Sequence, residues 1–204
     1  MIYTQRIQKA ILFAIKTHEI DEKQKRKGKD IPYITHPLTV GLILSSAGAS
    51  EDVVIAGILH DTIEDSIKEN KVTREMIVEQ FGEGVAELVL SVTEQDKSLS
   101  WEERKKEALE HIKTFSNDSL LVKSADIVSN ITETIDDYQK NGEEIFKNFS
   151  RPKEQMLRGQ INAMEAILER WPGNPLAEDV KKILGEIKSM AENTEMKPFT
   201  IKNN

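Results

Sequence analysis

Cysteine is absent from the 204 residues. Its absence excludes disulfides, thiolate zinc sites and cysteine nucleophiles together. No apolar run approaches the roughly 18 residues that read as a membrane span, so no membrane partner is expected. The first twenty residues carry apolar side chains at helical spacing, unlike the short apolar block of a secretory signal. A soluble, cytoplasmic protein is the expectation. Positive charge is in deficit: 28 Lys and Arg against 35 Asp and Glu leave a net charge of −7. Such a surface repels polyanions in general, and a nucleic-acid partner is disfavoured. Glycine and proline are sparse, at 10 and 6. No alternating strand-like segment, repeat or low-complexity tract stands out. The length sets a prior of one domain with room for one proper core.

What is present is helical periodicity. Ile7, Ile11, Ala14 and Ile15 follow one face of a first helix. Residues 21–36, with Gly28, Pro32 and a cluster of lysines, read as a loop. Pro37 suits the first turn of a second helix running toward Gly48. Ser50 is a candidate N-cap ahead of Glu51 and Asp52, where the helix dipole favours acids. Residues 53–59 are apolar all round, the mark of a centrally buried helix. A short parallel strand is the competing reading, but continuation through Thr62-Ile63-Glu64-Asp65 favours one helix past strand length. Phe81, Val85, Leu88, Val89 and Val92 repeat at helical spacing. Ser100 with Glu103 is a capping box. Leu120, Leu121, Ala125, Val128, Ile131 and Ile135 continue the helical count. Two more helices fit near 151–170 and 175–193, the second opened by Asn174-Pro175. Residues 194–204 lack an apolar period and are expected to fray. The expected architecture is a single all-α domain over residues 1–193.

Candidate chemistry begins at His60-Asp61-Thr62-Ile63-Glu64-Asp65. On one continuous helix, at about 100° per residue, His60, Asp61, Glu64 and Asp65 share an arc. Burying such groups unpaired costs several kcal/mol each, and a cation is a suitable partner for them. The alternative is the solvated end of a helix leaving the core. His36 sits at a loop-to-helix junction. Asp126 lies on an otherwise apolar helical face, with Asn130 one turn further. Taken singly, such residues are commonly caps or satisfied core polar groups. Together, His36, His60, Asp61 and Asp126 offer two imidazoles and two carboxylates. That sulfur-free set suits Mn²⁺, Fe²⁺ or Zn²⁺. Residues 23–29 carry five positive charges in seven positions. They read either as a solvated loop or as a device that concentrates a polyanionic nucleotide beside the metal.

The order His36, His60-Asp61, Asp126 resembles the HD-domain metal-dependent phosphohydrolases. Three longer blocks are similar to the RelA/SpoT-type alarmone hydrolases and their stand-alone small relatives. They are Gln24-Lys25-Arg26-Lys27-Gly28 leading to Ile31-Pro32-Tyr33-Ile34-Thr35-His36-Pro37; Leu59-His60-Asp61-Thr62-Ile63-Glu64-Asp65; and Val122-Lys123-Ser124-Ala125-Asp126 with Asn130. The Phe81-Gly82 helix and the Trp101-Glu102-Glu103-Arg104-Lys105 segment also look like this group. The resemblance covers about residues 5–170.

The resemblance implies an all-α HD-domain helical bundle holding one Mn²⁺ through His36, His60, Asp61 and Asp126. It implies removal of the 3′-pyrophosphate from guanosine tetra- or pentaphosphate by water, a small-molecule nucleotide substrate. Glu64 and Asp65 then activate or position the water. Arg26 and Lys27 contact the substrate, and Asn130 contacts it or orients a ligand. No synthetase-sized region follows the hydrolase blocks, so degradation without synthesis is expected. The chain departs from the pattern at several places. His18 precedes Gln24 by six residues, a longer gap than in the relatives. Ile127 and Thr132 stand where basic residues are common. Residues 154–159 lack a tyrosine, leaving Arg158 to take its place. These departures touch substrate contacts rather than metal donors. They keep open a phosphatase acting on another nucleotide, such as a 3′- or 5′-nucleotide or NADPH, and a non-catalytic nucleotide- or metal-binding module.

Overall fold

The structure is a computed structural model that describes residues 3–94, 99–149 and 151–195. In chain order its helices are α1 (Gln5–Ile15), α2 (Thr35–Ser46), α3 (Glu51–Leu59), α4 (Thr62–Asp65), α5 (Arg74–Phe81), α6 (Glu83–Val92), α7 (Trp101–Thr114), α8 (Asn117–Asn141), α9 (Lys153–Arg170) and α10 (Ala177–Glu195). Short 3₁₀ segments occupy Lys68–Asn70 and Gly142–Asn148. Among the described residues no strand forms, only one bridge between Lys25 and Pro32.

Side-chain caps set most of the helix starts. Hydroxyls of Thr4, Ser50, Thr73 and Ser116 accept from backbone N–H groups three residues on, opening α1, α3, α5 and α8. The Ser100–Glu103 box is complete in both directions at the start of α7. Each such cap contributes about 1 kcal/mol.

The all-apolar run became α3, buried at every position from Val53 to Leu59. It is the central rod, packed by α1, α2, α6 and α8. Glycines let it approach α2 closely. A Cβ on Gly41 would come within 2.6 Å of Ile58 Cγ1, and one on Gly57 would strike Leu44 Cδ1. The buried side chains form one contiguous cluster among the described residues.

Several sequence expectations shift. The helix drawn through residue 65 breaks between Leu59 and Thr62. The His60 ring takes the Gly57 carbonyl, and the Thr62 hydroxyl takes the Leu59 carbonyl. These are acceptors that a continuing helix would claim, so side chains outcompete the backbone there. The periodic stretch from Phe81 to Val92 divides into α5 and α6 at Gly82, whose φ of +96° suits glycine. The first helix passes into a π-helical turn at Lys16–Asp21, which reaches one residue into the stretch read as a loop. The last helix starts at Ala177 rather than at Pro175, because Asn174 Oδ1 accepts from Leu176 N and shapes a preceding turn. Of the tail expected at 194–204, residues 194 and 195 complete α10. The remainder, 196–204, lies outside the described residues.

Candidate functional site

Three regions of the fold deliver four chemical groups to one corner. His36 is the second residue of α2, His60 and Asp61 form the turn between α3 and α4, and Asp126 lies on α8. One donor atom each from His36, His60 and Asp126 lies within 4.8 Å of the others. His36 Nε2 is 3.3 Å from Asp126 Oδ1, and His60 Nε2 is 3.8 Å from it. Asp61 joins from one side, its Oδ2 3.0 Å from His60 Nε2 and 3.7 Å from His36 Nε2. The same oxygen accepts a hydrogen bond from the Tyr33 hydroxyl.

The corner fits a divalent cation. His60 Nδ1 donates to the Gly57 carbonyl at 2.8 Å. That bond turns Nε2 toward the carboxylates, where it is buried with no hydrogen-bond partner. Asp61 is near, but not aligned to bond it. His36 Nδ1 pairs with the Ser129 hydroxyl at 2.9 Å, which likewise turns its Nε2 toward the carboxylates. Ring nitrogens oriented through their opposite nitrogen are what imidazole ligation requires. Two nitrogens with carboxylate oxygen and no sulfur suit a borderline-to-hard divalent ion.

Charge is concentrated here. Burial alone would lower the His60 pKa, but the neighbouring Asp61 and Asp126 carboxylates carry it up to about 9. Burial would raise Asp61, and the His60 imidazole beside it holds it well below the usual carboxylate range. Asp126 is also held well below that range, against burial, chiefly by Lys123. The Lys123 ammonium lies 2.8 Å from Asp126 Oδ2. Asn130 Nδ2 donates to Asp126 Oδ1 at 2.7 Å.

A cleft of about 410 Å³ opens beside this corner; Lys27, Glu64, Trp101, Arg104 and Lys123 are among its lining residues. Glu64 Oε2 accepts from the Glu94 backbone N–H at 3.3 Å. Glu94 itself is tied to Arg104 and Lys105 on α7. Asp65 Oδ2 accepts from Gln24 Nε2 at 3.0 Å.

The basic segment is largely tied down. Lys25 pairs with Asp30 at 2.9 Å. Arg26 packs over the Tyr33 ring and donates to Asn130 Oδ1 at 2.8 Å and to Glu133. Lys29 binds Glu133 and Asp137. Lys27 lies 4.9 Å over the Phe149 ring, on the cleft wall. Arg158 is exposed; Met156 and Gln160 of the same helix face the cleft instead.

The sequence reading assigned no role to Ser129, Lys123, Tyr33 or Gln24. Lys123 and Ser129 stand three residues either side of Asp126, a helical spacing that places them on its face. Tyr33 and Gln24 sit inside the motif blocks already quoted.

Comparison with known proteins agrees with this geometry. Residues 10–153 match the HD domain family. Over 130 residues the chain is 39% identical to the guanosine-3′,5′-bis(diphosphate) 3′-pyrophosphohydrolase MESH1 of Xenopus tropicalis, covering 62% of this chain and 68% of that protein. It is 44% identical over 95 residues to a pyrophosphohydrolase of the same name from Aquifex aeolicus, covering 47% of this chain but only 12% of that protein. In structure it is similar to a protein described as a metazoan ortholog of SpoT that hydrolyzes ppGpp, with a TM-score of 0.72 at 24% identity over 91% of this chain and 97% of that one. It also resembles lmo0812 of Listeria monocytogenes, with a TM-score of 0.64 at 34% identity over 76% of this chain and 99% of that one. No helix among the described residues is long and apolar enough to cross a membrane. With its paired imidazoles and carboxylates gathered on a helical frame, the chain belongs to the HD domain family.

Proposed function

We propose that the protein is a cytoplasmic hydrolase that removes the 3′-pyrophosphate of guanosine-3′,5′-bis(diphosphate), with Mn²⁺ held by His36, His60, Asp61 and Asp126. The observation that carries this reading is the convergence of two imidazole nitrogens and the carboxylates beside a cleft lined by Glu64 and Lys27. The names of the MESH1 relatives support the substrate class.

When bound, the ion acidifies water and offsets phosphoryl charge. The chain's own residues do the rest. Glu64 accepts the proton from water at the cleft wall. Asp65, held by Gln24, positions the water. Lys27 supplies a point charge for the phosphates. Arg26 and Asn130, already bonded to each other, form the adjoining rim of the nucleotide site, and Asn130 also orients Asp126. Ile127 and Met156 give the cleft an apolar wall. That wall favours a second reading, turnover of another nucleotide such as NADPH.

The test is release of phosphate or pyrophosphate from guanosine-3′,5′-bis(diphosphate), 3′- and 5′-mononucleotides and NADPH, with and without Mn²⁺. Turnover of the first, dependent on Mn²⁺, is expected. Asp61→Ala abolishes it. Glu64→Gln keeps the ion but loses about 10²-fold or more in rate. Equal behaviour of wild type and Asp61→Ala on every substrate sinks the proposal. Preferential turnover of NADPH or a mononucleotide establishes the second reading.

A further inference from the structure

We propose that His18 and Gln24 form a positioning pair that orients the Asp65 carboxylate; the inference rests on the hydrolase reading above. His18 is fully buried, and its Nδ1 lies 2.9 Å from Gln24 Oε1. The other end of the same amide, Nε2, donates to Asp65 Oδ2 at 3.0 Å. The three side chains make one directed chain.

Each link fixes the next. An ionised carboxylate only accepts, so Gln24 must turn its NH₂ to Asp65 and its oxygen to His18. His18 must then carry its proton on Nδ1. Its Nε2 is left as a bare lone pair, and that atom is indeed buried without a partner. Burial holds the His18 imidazole below its usual pKa, which favours this neutral form.

The backbone is bent to preserve the contact. Six positions separate His18 from Gln24. The π-helical turn at Lys16–Asp21 absorbs part of that length. Lys23 then adopts a φ of +53°, a left-handed conformation rare outside glycine, asparagine and aspartate. The result is that Gln24 N–H donates to the His18 carbonyl at 2.8 Å, doubling the side-chain link. A chain that needed only an apolar plug at position 18 would have no use for this strained return. The His18 ring also packs 5.2 Å from Tyr33, whose hydroxyl donates to Asp61. The brace thus steadies the Asp65 carboxylate at the end of α4.

The test combines kinetics with a spectroscopic measurement on the metal-free protein. His18→Leu keeps the bulk and removes the bond; Gln24→Leu removes the link itself. Each lowers kcat about tenfold while leaving KM and Mn²⁺ affinity unchanged, and the double variant is no worse than either. His18→Asn, which returns an amide donor near the Nδ1 position, restores most of kcat. In long-range ¹H–¹⁵N spectra of the metal-free wild type, His18 shows a protonated Nδ1 and a bare Nε2, and Gln24→Leu abolishes that signature. A wild-type proton on Nε2 overturns the pair without any assay of turnover. So does Gln24→Leu with unchanged kcat, or a loss in His18→Leu that follows thermal stability and is not relieved by Asn. A wild type that carries the Nδ1–H signature but turns over no nucleotide overturns the hydrolase reading, and the positioning role falls with it.

Discussion

His36 and Ser129 are separated by 93 positions in the chain, yet the imidazole Nδ1 and the hydroxyl meet at 2.9 Å inside the core. This contact between α2 and α8 decides which face of the ring looks at Asp126. Ser129→Ala removes it with little change in volume. Affinity for Mn²⁺ should fall about tenfold, the usual range for loss of a group that orients an imidazole ligand. Isothermal titration of the purified protein measures it, and an unchanged constant would show that the hydroxyl is only filler.

If Asp126 holds the proposed ion, binding is coupled to folding. A ligand that binds only the native state at a hundred times its Kd adds about 2.7 kcal/mol of stability. Thermal melts with and without saturating Mn²⁺ should show a rise of several degrees in the wild type. Asp126→Ala should show none. The same variant should also be less stable without metal, by about 1 kcal/mol, because the partly exposed Lys123 ammonium loses its partner. A preserved Mn²⁺-dependent shift would remove Asp126 from the proposed donor set.

Gly57 governs the spacing of the rods that carry the two histidines. An added methyl would strike Leu44 Cδ1 and come 3.2 Å from Val40 Cγ1. Gly57→Ala should destabilise by about 1–3 kcal/mol through overpacking. It should also weaken Mn²⁺ binding, since α2 carries His36 and α3 leads into His60. Denaturant melts and metal titration together check both outcomes.

Glu133 makes the loop's attachment sensitive to acid. Burial would raise its carboxyl, but hydrogen bonds from Arg26 and Lys29 hold it below its ordinary value. A folded-state pKa below the unfolded one adds stability at neutral pH. That stability is lost as the pH falls below about 4.3, the ordinary glutamate value, toward the depressed folded pKa. Glu133→Gln should cost about 1 kcal/mol at pH 7, discounted for partial exposure. It should also flatten the acid limb of the stability curve. Melts across pH 3–7 would reveal equal acid slopes if the carboxylate were idle.

The sequence announced the starts of α3 and α7, because the Ser50 cap and the Ser100–Glu103 box act within one turn. It also pointed to the gathered donors His36, His60 and Asp126, since few chemistries call for imidazoles and carboxylates on buried positions. It missed what depends on competition or distance. The break after Leu59 arises because the His60 ring captures a carbonyl that periodicity assigns to the helix. The partners of Arg26 and Lys29 lie more than a hundred residues away on α8. A run of lysines cannot announce that most of its charge is already spoken for. The return of Gln24 onto His18 needed a left-handed lysine that no spacing rule anticipates.

Asp126, Asn130, Glu133 and Asp137 follow one another along a single edge of α8, at intervals of four, three and four. The first touches the imidazole corner, and the last two fasten the lysine-rich strap. Asn130 joins the two, gripping Asp126 with its nitrogen and Arg26 with its oxygen. Peeling the strap from this rail therefore tugs on the cation's cradle through one amide. In the proposed hydrolase, the strap that faces substrate and the carboxylate that holds the ion would share that one helix edge.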